Sequence, residues 1–179
     1  MSIFSNRSID PPQERLAYAG AILDLLGGRE PVEVLRETPA ALARAVEGLS
    51  PDQLRRQEAP GKWSLAQVLQ HLADSDLVWG WRLRLILSQD RPTITGYDQD
   101  QWATRLRYED SDPAESLETF GVLRRDNVRL IERATPEDLQ RVGVHSERGE
   151  ESIAYLCRLY AGHDLSHLRQ VNRIRRVVG

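Results

Sequence analysis

Read at helical period, the apolar positions of this chain fall into five stretches separated by turn signals. Residues 12–26 form an amphipathic stretch opened by Pro11 and Pro12 and closed by Gly27 and Gly28; proline starts helices and glycine stops them. A second helical region begins near Pro31. Within it, Thr38 and Pro39 make a cap and first turn that predict a restart or kink before Leu42, Ala45, Val46 and Leu49. Ser64 and Gln67 have capping-box spacing and open a long helix to about Ser88, with Leu65, Leu69, Leu72, Trp79, Leu83 and Ile86 on its stripe. The next helix runs from about Pro113 to Ala134 on Leu117, Phe120, Val128 and Ile131. The last carries Ile153, Leu156, Cys157 and Tyr160, then Val171, Ile174 and Val178. Between these, residues 90–112 read as a long loop with a short helix around Gln99 to Leu106, and residues 142–151 as a turn or short hairpin bearing His145 and Gly149.

The polar residues inside those stripes carry the chemistry. His163, Asp164 and His167 interrupt the core face of the last helix. Residues four apart lie one turn above each other, so the two imidazoles can share one ion. A buried ring without a partner costs about 1–3 kcal/mol, so two in adjacent turns call for a common explanation. His71 sits at the edge of its own stripe beside Val68, Ser75 and Val78. Taken alone, it is explained slightly better by a half-exposed histidine bonded to a neighbour than by a ligand. Asp76 falls near the middle of that stripe and requires a partner, whereas Asp74 points to the opposite face and reads as solvated. Arg124 lies inside its stripe and is expected to pair with Asp76 or Asp164, ahead of gripping an anionic substrate. Tyr160, one turn before His163, lines either core or pocket. The run HDLSH lacks the glutamate of zinc proteases, so that chemistry is not supported.

Composition narrows the class. A chain of 179 residues, 40 % apolar and 28 % charged, suits one soluble domain, and its apolar runs are too short to span a bilayer. The start MSIFSNRSIDPPQE lacks the marks of a secretion signal, which predicts a cytoplasmic protein. Cys157 is the only cysteine and reads as a core thiol. A net charge of −3 with Lys62 as the sole lysine gives no nucleic-acid footprint, and the Arg173, Arg175, Arg176 group suits a helix C-terminus.

An internal repeat organises the rest. LSPDQLR at Leu49–Arg55 parallels ATPEDLQR at Ala134–Arg141, each between a long helix and a histidine-bearing one. Two such helix pairs predict an all-α four-helix bundle with an additional N-terminal helix, and bundles of this kind build metal sites from facing helices. The expected division is an extension at 1–30 and a bundle at 31–179.

TPAALARAVEGLSPDQLRRQEAPGKWSLAQVLQHLADSD resembles the opening of the DinB-like bundle family, closest to its YfiT group, with GKWS followed by HLADS as the most specific part. GYDQDQWA is similar to that group's connecting loop, and VHSERGEESIAYLCRLYAGHDLSHLRQV to its hairpin and last helix. The resemblance covers roughly residues 31–175. It implies metal ligands at His71, His163 and His167, with His145 matching the turn and serving as no ligand. It also implies the activities ascribed to that group, metal-dependent hydrolysis and bacillithiol transfer. The mycothiol-using relatives carry an extra domain beyond the last helix, so a mycothiol role is not expected.

Three neutral imidazoles leave coordination positions open, as in catalytic sites, and suit zinc or nickel. The expected activity is transfer of a low-molecular-weight thiol to an electrophilic substrate. The alternatives are metal-dependent hydrolysis with Asp76 or Asp164 as base, and a stress-associated metal-binding bundle without catalysis. A homodimer is expected, with no nucleic-acid or membrane partner.

Overall fold

The computed structural model describes residues 12–179. Pro11 and the segment read for a secretion signal up to that point lie outside the described residues. The chain folds as an all-α bundle of four long helices, α2 (Pro31–Val46), α4 (Leu65–Ser88), α6 (Pro113–Arg133) and α8 (Ile153–Val178). Both α4 and α2 pack against α6 and α8, which makes α2 and α4 diagonal to each other. The predicted N-terminal helix, α1 (Pro12–Leu26), lies along α8. Gly162 on α8 permits this contact, because a Cβ there would stand 2.6 Å from Ile22 Cγ2 and 2.8 Å from the Ile22 carbonyl carbon.

The repeat is structural. Short helices α3 (Pro51–Arg55) and α7 (Pro136–Gln140) each open with a capping box, Ser50 with Gln53 and Thr135 with Asp138. Ser64 and Gln67 cap α4 in the same way. After α7 comes a hairpin, β2 (Val142–His145) and β3 (Gly149–Ser152), which delivers the chain to α8.

Two expectations change. First, of the restart or kink read at Pro39 the restart does not occur, since α2 is one helix that runs through this proline. Proline removes the N–H that would reach the Leu35 carbonyl. Arg124 Nη1 fills that vacancy, donating to Leu35 O at 3.0 Å, while Thr38 Oγ1 donates to Val34 O at 2.8 Å. Second, the 90–112 connection holds more than the short helix α5 (Gln99–Arg105). Its strand β1 (Thr93–Ile94) pairs parallel to β2, and a 3-10 turn (Tyr108–Asp110) folds against α4. A two-residue strand shows no periodicity to read.

The core has two apolar clusters. One contains Leu35, Trp79, Leu83, Ile86, Val128, Ile131 and Leu156; the other contains Leu42, Leu65, Leu69, Leu72, Phe120, Val171 and Ile174. Along α2, α4 and α6 the switch from one cluster to the other falls at a buried polar residue, Thr38, Asp76 and Arg124, and on α8 it falls after Leu165, between the buried Asp164 and His167. This polar layer crosses the middle of the bundle, beside the histidines. Among the described residues, no helix is long and apolar enough to cross a membrane.

Candidate metal centre and its cavity

Helix α4 presents His71 and helix α8 presents His163 and His167, and the three rings meet at their Nε2 atoms. His71 and His163 approach to 3.2 Å and His163 and His167 to 3.1 Å, with one ligand atom from each ring within 4.8 Å of the others. His71 is 1 % exposed, so the half-exposed alternative for it is ruled out. His167 is likewise buried, while His163 keeps partial exposure and opens onto a cavity.

Electrostatics keep these rings neutral. Burial, then the neighbouring His167, holds His71 well below the ordinary histidine value. Burial, followed by His167, His71 and Arg124, does the same at His163. At His167 burial outweighs the hydrogen bond to Gln170 and brings the pKa down to about 4.

Hydrogen-bond accounting then tests whether the cluster suits a cation. His167 Nδ1 lies 2.8 Å from Gln170 Oε1, which assigns the ring proton to Nδ1 and leaves Nε2 as a lone pair. His163 Nε2 touches both other rings, yet it can carry either a proton or a lone pair. With His167 Nε2 as an acceptor, a proton that satisfies one contact leaves the other mismatched. A shared cation removes the conflict, because all three nitrogens then offer lone pairs. The spacing agrees, since ligands at about 2.0–2.1 Å in tetrahedral geometry stand roughly 3.3 Å apart. Among the described residues the buried Nδ1 atoms of His71 and His163 have no partner, whereas the His167 ring is oriented by its bond to Gln170.

Arg124 organises the layer next to the histidines. Its Nε donates to Asp76 Oδ1 at 2.9 Å, its Nη2 to Asp164 Oδ1 at 3.1 Å, and its Nη1 to Asp164 Oδ2 as well as Leu35 O. The guanidinium lies 4.6 Å from the Phe120 ring centre and 5.5 Å from that of Trp79. Asn127 Nδ2 adds bonds to Asp76 O and Oδ2 at 3.0 and 3.1 Å. Burial lifts Asp76 to about 6 against the opposing pull of Arg124. Asp164 is also raised by burial, and Arg124 itself is held protonated by the two carboxylates despite burial. The expected structural ion pair therefore forms with both partners.

A cavity of about 70 Å³ adjoins His71 and His163. Tyr18 of α1, Tyr97 of the connection and Tyr160 of α8 line it, together with Arg82, Glu147 and Arg148. Tyr160 stacks on Trp79 at 5.0 Å and so serves both core and pocket. Burial raises the Tyr18, Tyr97 and Tyr160 phenols above their usual range. Neither Asp76 nor Asp164 lines this cavity, so the sequence-based choice of a base is corrected: both carboxylates are engaged by Arg124. Asp74 is corrected too, since it is not merely solvated. It accepts from Tyr108 Oη at 2.6 Å and from Gln70 Nε2 at 3.2 Å, because the connection folds back over α4. His145 lies apart from the cluster, its Nδ1 accepting from Glu147 N at 3.1 Å. Cys157 is buried outside the cavity and its thiol is pushed up to about 12.

Sequence reading missed the cavity wall. Tyr18, Tyr97 and the adjacent Glu147 and Arg148 come from three separate segments, and no local pattern joins them. Arg82 was legible: it stands eleven residues after His71, and positions 71, 75, 78 and 82 share one helical face.

The sequence profile of the DinB superfamily matches residues 35–171. A protein of Oceanobacillus iheyensis named "Putative metal-dependent hydrolase" is 31 % identical over 144 residues, covering 80 % of this chain and 83 % of that one. "Putative metal-dependent hydrolase YfiT" of Bacillus subtilis is 30 % identical over 149 residues, covering 83 % of this chain and 84 % of its own. The solved structure of Bacillus subtilis YfiT, described as a probable metal-dependent hydrolase with an unusual four-helix bundle topology, superposes with a TM-score of 0.76 at 28 % identity, covering 82 % and 84 % of the two chains.

Proposed function

The chain belongs to the DinB superfamily, in the group that includes YfiT, and from this membership and its histidine cluster we propose a metal-dependent enzyme that transfers a low-molecular-weight thiol to an electrophilic substrate. The single observation that carries the reading is the convergence of three neutral imidazoles whose mutual Nε2 contacts are relieved when all three offer lone pairs to one cation. His71, His163 and His167 would hold zinc or nickel. When bound, such an ion lowers the proton affinity of a nucleophile at an open position and polarises its target.

The protein's own side chains fit an external nucleophile. Cys157 is buried away from the cavity and its pKa of about 12 keeps it protonated. In the reaction the thiol loses its proton, a carbon–sulfur bond forms, and the leaving group departs with its electron pair. The three tyrosines shield the cavity, and His71 and His163 orient the reacting end.

Hydrolysis is the second reading, favoured by the names of the relatives and by the Glu147 carboxylate in the cavity wall. The test begins with elemental analysis of untagged protein and of His71→Ala and His163→Ala variants. About one equivalent of zinc or nickel, lost in both variants, is expected; a chain that takes up neither metal overturns both enzyme readings. Thiol consumption with 1-chloro-2,4-dinitrobenzene and release of nitrophenol from p-nitrophenyl acetate then separate them. Glu147→Gln is expected to spare the first reaction, whereas ester turnover lost in that variant without any thiol transfer favours hydrolysis.

A further inference from the structure

Arg82 is a buried cation with no carboxylate beside it among the described residues. It is 5 % exposed and lines the same cavity as His71 and His163. Its Nη1 donates to Tyr160 Oη at 3.2 Å and its Nη2 to Thr95 O at 2.6 Å, with His145 Nε2 at 3.5 Å. These are uncharged acceptors or a ring nitrogen. Among the described residues its buried Nε has no hydrogen-bond partner. The other buried or half-buried arginines near the site are neutralised: Arg124 by Asp76 and Asp164, and Arg148 by Glu151 through bonds of 2.6 and 3.0 Å. Among the described residues, no carboxylate stands within ion-pair distance of Arg82.

An uncompensated buried charge is unfavourable, whereas a planar guanidinium with a free N–H is suited to a carboxylate. We propose that the cavity takes a ligand bearing a carboxylate, which pairs with Arg82 while the ligand's other end reaches the histidines. The placement of the reacting end rests on the proposed thiol transfer; the carboxylate subsite does not. Arg82 Nη1 stands 3.2 Å from Tyr160 Oη, and the Tyr160 ring centre lies 6.1 Å from that of His163. The carboxylate would therefore sit across Tyr160 from His163, which selects an extended small molecule.

The test uses the purified chain with linear carboxylates, butanoate to octanoate, against the primary amides of the same lengths, read by calorimetry and thermal shift. It requires neither metal nor turnover. Carboxylates are expected to bind about ten-fold more tightly than the amides. Arg82→Met should lose that preference. Arg82→Lys should retain part of the preference. Equal binding of carboxylates and amides by the wild type, or an undiminished preference in Arg82→Met, overturns the proposal. The wild-type comparison decides the matter even if a variant does not fold. KM values for 3-mercaptopropionate and chloroacetate against their amides then show whether thiol or electrophile carries the anion. Turnover without a carboxylate preference sinks this inference alone; a preference without thiol turnover supports it and sinks thiol transfer alone.

Discussion

Replacing Arg124 by methionine tests the polar layer most directly. The change keeps an unbranched side chain against Phe120 and Trp79 but removes the cation between Asp76 and Asp164. Breaking a buried ion pair from one side costs about 3–5 kcal/mol. The Leu35 carbonyl also loses its donor, a smaller term that does not simply add. A loss of about 4 kcal/mol corresponds to a Tm lowered by roughly 8–16 °C for a domain of this size. The loss should depend on pH in a definite sense. Asp76 already stands at about 6, above its ordinary 3.8, chiefly through burial, and removing Arg124 takes away its largest lowering influence. A carboxyl raised in the folded state contributes stability that is complete below the unfolded value and disappears as pH rises through the folded one. The deficit of Arg124→Met should therefore be largest at pH 7–8 and shrink toward pH 5, by up to about 1.4 kcal/mol per pH unit for each carboxyl. Urea unfolding followed by circular dichroism at pH 8, 7, 6 and 5 measures it. A loss below about 1 kcal/mol at pH 7, or one that does not change with pH, refutes the argument.

Three further outcomes follow from the same contacts. Pro39→Ala should change stability by less than about 1 kcal/mol, well short of the roughly 3 kcal/mol of an interior proline, because Arg124 already satisfies the Leu35 carbonyl; chemical denaturation measures this. Gly162→Ala should destabilise by about 1–3 kcal/mol and loosen α1, seen as faster proteolysis near residue 20, since its Cβ would meet Ile22 at 2.6 Å. Metal-stripped protein should lose stability as pH falls from about 7 toward 4. His71, His163 and His167 are held neutral in the fold below their ordinary 6.5, so the unfolded chain takes up protons first, and a Tm flat from pH 7 to 5 would contradict this.

Periodicity made the four bundle helices and the two histidine-bearing faces legible, because each stripe has to bury itself and a polar residue within it stands out. The same logic marked Arg124 and its two aspartate partners. It failed where position depends on the return path of a connection: Asp74 reads as solvated until Tyr108 is folded over it, and the two-residue strand at Thr93 exists only through its pairing with β2. At Pro39 the restart alternative falls for a different reason. Its missing hydrogen bond is made good by a side chain 85 residues away, a compensation that no local rule contains.

That compensation explains why the bundle carries a polar middle at all. A wholly apolar layer would be at least as stable in general, since desolvation offsets much of an ion pair's attraction. What Arg124 adds is register. From α6 it contacts the Leu35 carbonyl on α2, Asp76 on α4 and Asp164 on α8, the three other helices of the bundle. Asp76 lies five residues beyond His71, and Asp164 directly follows His163. Apolar packing tolerates sliding of one helix past another by fractions of a turn, whereas directional bonds to two carboxylates and a carbonyl do not. The three Nε2 atoms meet only when α4 and α8 hold one axial alignment. The side chain that fixes it stands in the adjacent layer and needs no contact with the reacting molecules.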